Sequence, residues 1–183
     1  MASDSKNWSE QYRYMKRMHD RAIKALISIP DDVYEAEDTL HAYFQAAWSF
    51  KDWLHSDEST NLKTKTVNDF ANTDYLKIVG DIATWKKHLL VNDKRRSDSD
   101  LGVGRVNVYQ DDNGNISVEQ NFEITLNGKK IGISAKELVE ESLKQWDGFL
   151  ATNNLILQPS LLEAMLDLLD KGKIKVEDKI ITK

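Results

Sequence analysis

The sequence predicts a mainly helical α+β fold: an up-down helical bundle with an inserted three-stranded antiparallel β-meander and a C-terminal helical extension. Three observations lead to it. Apolar side chains recur every three or four residues up to Val91. The period then changes to two between Val103 and Ile133. Only 2 prolines and 8 glycines punctuate 183 residues, which suits long helices better than a loop-rich all-β chain.

The first helix is expected from about Asn7 to Ser28, where Trp8, Tyr12, Met15, Ala22, Ile23 and Leu26 return to one face. Pro30 ends it. Asp31 and Asp32 then suit the cap and first turn of a second helix, because they accept orphan backbone N–H groups at the positive end of the dipole. Val33, Ala36, Leu40, Tyr43, Ala47, Phe50 and Leu54 follow by threes and fours, and Phe44, Trp48 and Trp53 widen the apolar face. A face that wide marks the central helix of a bundle. Ser56 to Thr66 reads as a connection, Thr66 to Ala71 as a short helix, and Tyr75, Ile78, Ile82, Trp85 and Leu89 as a fourth helix ending near Val91. Asn92 to Asp100 reads as an exposed loop.

Strands are expected over Val103 to Tyr109, Ile116 to Leu126 and Lys130 to Ile133, with turns at Asp111 to Asn115 and at Asn127-Gly128. Ser134 and Glu137 form a capping-box pattern ahead of a helix from Ala135 to about Ala151. Asn153-Asn154 breaks that helix. Pro159 opens another, faced by Leu161, Leu162, Met165, Leu168 and Leu169, and Ile174 to Ile181 alternates like a short strand. The expected organisation is one domain over 1–183: a helical bundle over 1–100, the meander over 101–134, a bundle helix over 135–152, and a C-terminal helix with a short strand over 153–183.

Composition excludes several classes of function. No cysteine is present, so disulfides, thiolate zinc, iron–sulfur clusters and thiol nucleophiles are ruled out, and a reducing compartment fits. No apolar run reaches the roughly 18 residues of a membrane span, and Met1 to Glu10 lacks a signal-peptide core, so a cytoplasmic protein is expected. The net charge of −5 argues against general nucleic-acid binding, but its distribution is uneven. Residues 1–28 carry six basic and three acidic side chains, whereas 29–60 carry one and eight.

Several motifs fail on their own chemistry. Gly102-Val103-Gly104 lacks the third glycine of a dinucleotide loop and leads into a strand. Asp111, Asn113 and Asn115 have calcium-loop spacing, but Ile116 stands where such a loop needs glycine. No histidine pair has the spacing of a helical zinc site, so neither a metal nor a cofactor is expected. His55 at the end of the second helix suits a dipole cap. Trp48, Trp85 and Trp146 fall on apolar stripes and read as core, while Trp8 and Trp53, near helix ends, read as possible exposed contacts.

Two polar clusters remain. Lys51-Asp52 lies near the end of the second helix and Lys87-His88 near the end of the fourth. Facing one cleft, they would bring a carboxylate, an imidazole and two ammonium groups together for acid–base work or for gripping a phosphate. The plainer alternative is a buried hydrogen-bonded pair with solvated lysines. Candidate catalytic groups are therefore His88 and Asp52, and candidate binding groups are Lys51, Lys87, Arg13 and His19.

Lys51-Asp52-Trp53 on the second helix, Lys87-His88 on a later one, and a meander leading to the helix of Trp146 resemble a group of bacterial and phage helical-bundle proteins. Over residues 7–150 the layout loosely resembles the HEPN superfamily. That resemblance implies a cytoplasmic homodimer in a defence or counter-defence system, contacting nucleotide, RNA or a protein partner. In ribonuclease members an Arg, four to six residues and a His lie on a late helix; the formal match here, Arg13 to His19, is on the first. RNA or other phosphodiester cleavage is thus the alternative reading, and a purely structural oligomerisation protein a further one.

Overall fold

The computed structural model describes residues 7–27, 33–85, 99–101, 105–126 and 129–160, together with Met165 and Leu168. The protein is mainly helical, and the first two helices form its spine. Helix α1 (Trp8–Ile27) opens at Asn7, whose side-chain oxygen accepts the Ser9 N–H at 2.9 Å, a capping bond that relieves one orphan donor. Helix α2 (Val33–Ser56) runs back along α1: Trp8 and Tyr12 pack on Phe50, while His19 packs on Tyr43. As the sequence predicts, α2 is central. Leu40, Tyr43, Phe44, Ala47, Phe50 and Leu54 are fully buried, and α2 touches every other described helix of the bundle.

A single 3-10 turn (Glu58–Thr60) and helix α3 (Thr64–Ala71) occupy the expected connection and short helix. Helix α4 (Asp74–Trp85) lies against α2 so closely that a Cβ on Gly80 would stand 2.5 Å from the Trp48 ring. Helix α5 (Ala135–Thr152) closes the bundle. Trp146 is fully buried there, its ring edge-on to Phe50 at 5.0 Å and its indole N–H donating to the Ala47 carbonyl at 3.1 Å. Trp8, expected to be exposed, is buried at 3% because α1 lays it on Phe50; Trp53 and Trp48 are half-buried at the edge of the core.

Helix α5 has both its ends specified locally. The Ser134 hydroxyl accepts the Glu137 N–H at 3.1 Å, half of the expected capping box, while the Glu137 carboxylate accepts from the Tyr75 hydroxyl at 2.8 Å and ties α4 to α5. At the other end Asn154 takes a left-handed φ of 53°, Leu155 N–H donates to Leu150 O and Asn154 N–H to Ala151 O, which together make a Schellman stop.

The expected three-stranded meander does not form. Strand β1 (Ser99–Leu101) falls where a loop was expected, β2 (Arg105–Gln110) pairs, among the described residues, with β3 (Ile116–Asn121) alone, and β4 (Glu123–Leu126) lies between β1 and β5 (Lys129–Ser134). The expected strand Ile116 to Leu126 is therefore split between two antiparallel sheets. The break is at Phe122, whose ring is buried and whose carbonyl accepts the first N–H of α5, from Ala135, at 3.1 Å. That bond keeps the register of Glu123 with Ser134, so it carries the β4–β5 pairing one residue further, into the start of α5. A register irregularity between β4 and β5 falls where Gly132 adopts a φ of +74°, a conformation that a side chain would strain. The 105–121 hairpin closes on Asp111, whose carboxylate accepts from Asn113 N, Asn115 N and the Asn115 side chain; it is a turn anchor, as the rejected calcium spacing implied. Met165 and Leu168 have helical backbone, in keeping with the expected C-terminal helix, and the strand expected over 174–181 lies outside the described residues.

Candidate functional site

Trp48, Lys51, Asp52 and His55 share one face of α2 through their three- and four-residue spacing. Lys51 Nζ lies 2.5 Å from Asp52 Oδ1 and 4.8 Å from the Trp48 ring centroid. His55 Nε2 lies 3.3 Å from the same Asp52 oxygen, and Ser56 Oγ lies 3.4 Å from His55 Nδ1. Hydroxyl, imidazole and carboxylate thus stand in line, but at the wrong end of a helix for acyl or phosphoryl chemistry. The last turn of α2 presents carbonyls, which disfavour a developing oxyanion. The N–H groups that follow are already donated: Asp57 to Trp53 O, Ser59 to the Asp57 side chain, Thr60 to Asp57 O and Asn61 to Glu58 O. The arrangement holds a cation at the end of α2, and Lys51, neutralised by Asp52, offers little to a phosphate. Lys87 and His88, expected to meet this cluster, lie outside the described residues.

Arg13 and His19 are described, and they do not form one site. Six residues along a helix turn a side chain by about 600°, leaving the two roughly 120° apart and about 9 Å along the axis. Arg13, 15% exposed, binds Glu10 Oε1 at 3.0 Å and donates to the Gln158 carbonyl. His19 turns the other way, its ring 5.8 Å from that of Tyr43 and its Nδ1 3.0 Å from Asp20 Oδ1. An Arg and a His acting on one phosphodiester must reach the same phosphate group. These two point to different neighbours.

The chemistry of α1 lies on its outer surface instead. Arg13, Arg17, Arg21, Lys24 and Tyr14 fall within an arc of about 100°, opposite the buried stripe of Met15, Ala22 and Leu26. Arg17, Arg21 and Lys24 are exposed, Tyr14 is 40% exposed, and the Arg17 guanidinium sits 6.0 Å from the Tyr14 ring centroid. Arg17 and Arg21 are legible in the sequence as part of a basic run. Tyr14 and Lys24 are missed by a search for catalytic motifs, although their four-three spacing on the polar side of α1 would have found them.

Inside this helix pair two tyrosines are held neutral. Burial, assisted by the hydrogen bond to and charge of Asp147, pushes the Tyr12 hydroxyl well above its ordinary range. Burial does the same to Tyr43, opposed in part by its Ser142 hydrogen bond; its hydroxyl also donates to Val139 O at 2.9 Å. Both are fasteners between helices and not proton donors to solvent. Among the described residues no three His, Cys, Asp or Glu side chains are grouped to hold a metal ion, and no helix is long and apolar enough to cross a membrane. Comparison of the chain with protein-family models, curated proteins and solved structures returned no significant match.

Proposed function

We propose that this chain is a HEPN-like helical module of a bacterial or phage defence or counter-defence system that binds single-stranded RNA across the outer face of α1 without cleaving it. The observation that carries the reading is the exposed Tyr14 beside Arg17, continued by Arg21 and Lys24 along one ridge. Exposed aromatic rings stack on any base while a row of cations tracks the phosphates, which is how sequence-tolerant single-strand binding works. The split between Arg13 and His19 argues against cleavage by that pair, and the neutralised Lys51 argues against a phosphate grip at α2.

The test is fluorescence anisotropy with a labelled oligouridine across a salt series. Affinity should fall with salt, and Arg17→Ala and Arg21→Ala should each reduce the magnitude of the log–log slope by about 0.7. Tyr14→Ala should weaken binding about tenfold. Binding that ignores salt and all three substitutions, or RNA cleavage lost in His19→Ala, would sink this reading. A second reading, a protein-binding module, draws on the exposed apolar Ile156 and Leu157, 80% and 39% accessible. A stoichiometric protein partner recovered from the native host, with no RNA retained, would favour it.

A further inference from the structure

The edge of a sheet is a row of backbone donors and acceptors that a second strand can use, and folded chains blunt their edges by shortening, bulging, charging or covering them. Among the described residues, three of the four strand edges are blunted in one of these ways. Strand β1 is three residues long, carries Asp100 and lies against α4. Strand β5 opens on Lys129-Lys130, and its pairing is irregular where Gly132 takes a φ of +74°. Strand β3 carries Glu119 and lies against α1. Strand β2 has none of these devices. Its six residues pair with β3 without a bulge, and Val106 to Tyr109 include no charge, proline or glycine. No described strand pairs with its outer edge.

The phase of that edge follows from the turn. Asp111 N–H donates to Asn115 O at 3.0 Å, so this pair exchanges bonds inside the hairpin. Bonded pairs alternate along an antiparallel ladder, which makes Tyr109–Ser117, Asn107–Glu119 and Arg105–Asn121 the next bonded ones. The N–H and C=O groups of Val106, Val108 and Gln110 are therefore turned outward. An antiparallel second β2 uses all three residues in one register only, with Val108 on the two-fold axis and Val106 opposite Gln110. That register also sets Arg105 of one copy opposite Asp111 of the other, in a non-bonded pair where side chains come closest. The Asp111 carboxylate is exposed and fixed in place by Asn113 and Asn115. A slip by two residues parts the two charges and shortens the overlap.

We propose that the outer edge of β2 is a self-association surface, on which a second copy of this chain pairs antiparallel about a two-fold axis at Val108. The two hairpins then form one four-stranded sheet, joined by about six backbone hydrogen bonds and two Arg105–Asp111 ion pairs. A two-stranded ribbon gains most from such an addition, because three or more strands are what make a small sheet persist in water. The surface is distinct from the basic ridge of α1 and does not depend on RNA binding.

The experiment is sedimentation of the full chain over a concentration series, together with a cross-linking test of the register. The native chain should sediment as a monomer–dimer equilibrium. Arg105→Glu should weaken the dimer about tenfold, since by symmetry it turns two attractions into two repulsions. Val108→Pro should abolish the dimer by removing an outward N–H that the hairpin itself does not use. The native chain has no cysteine, so introduced thiols report only on the interface. Asn107 stands opposite Tyr109 of the second copy at a Cα distance of about 4.5 Å, within disulfide reach. Asn107→Cys and Tyr109→Cys chains, mixed and oxidised, should therefore cross-link to each other far faster than either does to itself. A native chain that stays monomeric at every concentration and gives no mixed cross-link would overturn the proposal. So would a dimer that survives Arg105→Glu and Val108→Pro without that cross-link, because another surface would then hold it.

Discussion

Gly80 occupies a point where two helices nearly touch. An alanine in a helix interior is ordinarily worth about 1 kcal/mol over glycine, yet here its methyl would stand 2.5 Å from the Trp48 ring, so something must move. Gly80→Ala should therefore cost about 1–3 kcal/mol in urea unfolding. A gain in stability would mean that the half-buried Trp48 ring swings aside freely. Trp146 is the stronger anchor: it is fully buried, stacked among Phe50, Phe70 and Phe149, and bonded through its indole N–H. Trp146→Ala should cost roughly 3–5 kcal/mol, a large part of the margin of a domain this size. Loss of less than about 1 kcal/mol would place that ring outside the cooperative core.

At the scale of elements, the junctions carry specific bonds that can be switched off one at a time. Asp57, at the end of α2, accepts the Trp8 N–H at 3.1 Å and so joins the start of α1 to the far end of the hairpin. Partial burial works to raise its carboxyl, but hydrogen bonds from the Ser59 hydroxyl and from the Trp8 and Ser59 backbones outweigh it and hold the group below its ordinary value of 3.8. A carboxylate depressed in the folded state stabilises above its unfolded value and loses that contribution as pH falls through the folded one. Asp57→Asn should thus lower Tm at pH 7 by a few degrees, and the gap to the parent should close as pH drops below about 4. A gap independent of pH would assign the effect to shape alone. The Schellman stop gives a second handle: Asn154→Gly, which removes the Cβ, should be neutral or slightly stabilising, and Asn154→Ala destabilising by about 1 kcal/mol, because alanine keeps the Cβ at φ 53° and lacks the short amide that lets asparagine tolerate the left-handed region.

At the scale of the whole molecule, charge is segregated and the fold keeps it so. The chain carries −5 overall, but six of its cations fall within the first 28 residues and eight of its acidic groups between 29 and 60. The hairpin sets these segments side by side with their apolar stripes facing inward, so the basic arc of α1 looks outward as a track about 16 Å long. Such a molecule should bind a short single strand weakly and in a salt-dependent way, and should show little affinity for duplex DNA, whose dense phosphates meet the acidic flank as well. Equal affinity for both in a competition titration would contradict that picture.

Most of the helices could be read directly from the chain because a helix declares itself locally. Three-four spacing of apolar side chains, Asn7 at one start, Ser134 at another and Asn153-Asn154 at a stop are all visible within a few residues of the feature they create. Phe122 is different: Ile116, Val118, Phe122 and Ile124 keep one unbroken parity, and nothing local says that the strand must stop. There the chain passes from the sheet of β2 and β3 to that of β4 and β5, where the Phe122 carbonyl pairs with the N–H of Ala135, thirteen residues on. Arg13 and His19 likewise look like a pair in one dimension, since sequence distance shows neither the 120° between them nor Gln158, which lies 145 positions away and takes the guanidinium. Periodicity determined the helices, the central place of α2 and the basic side of α1. Which strands pair, which cations stay open to solvent and which are spent inside depended on contacts between distant residues, and only the tertiary structure decided those.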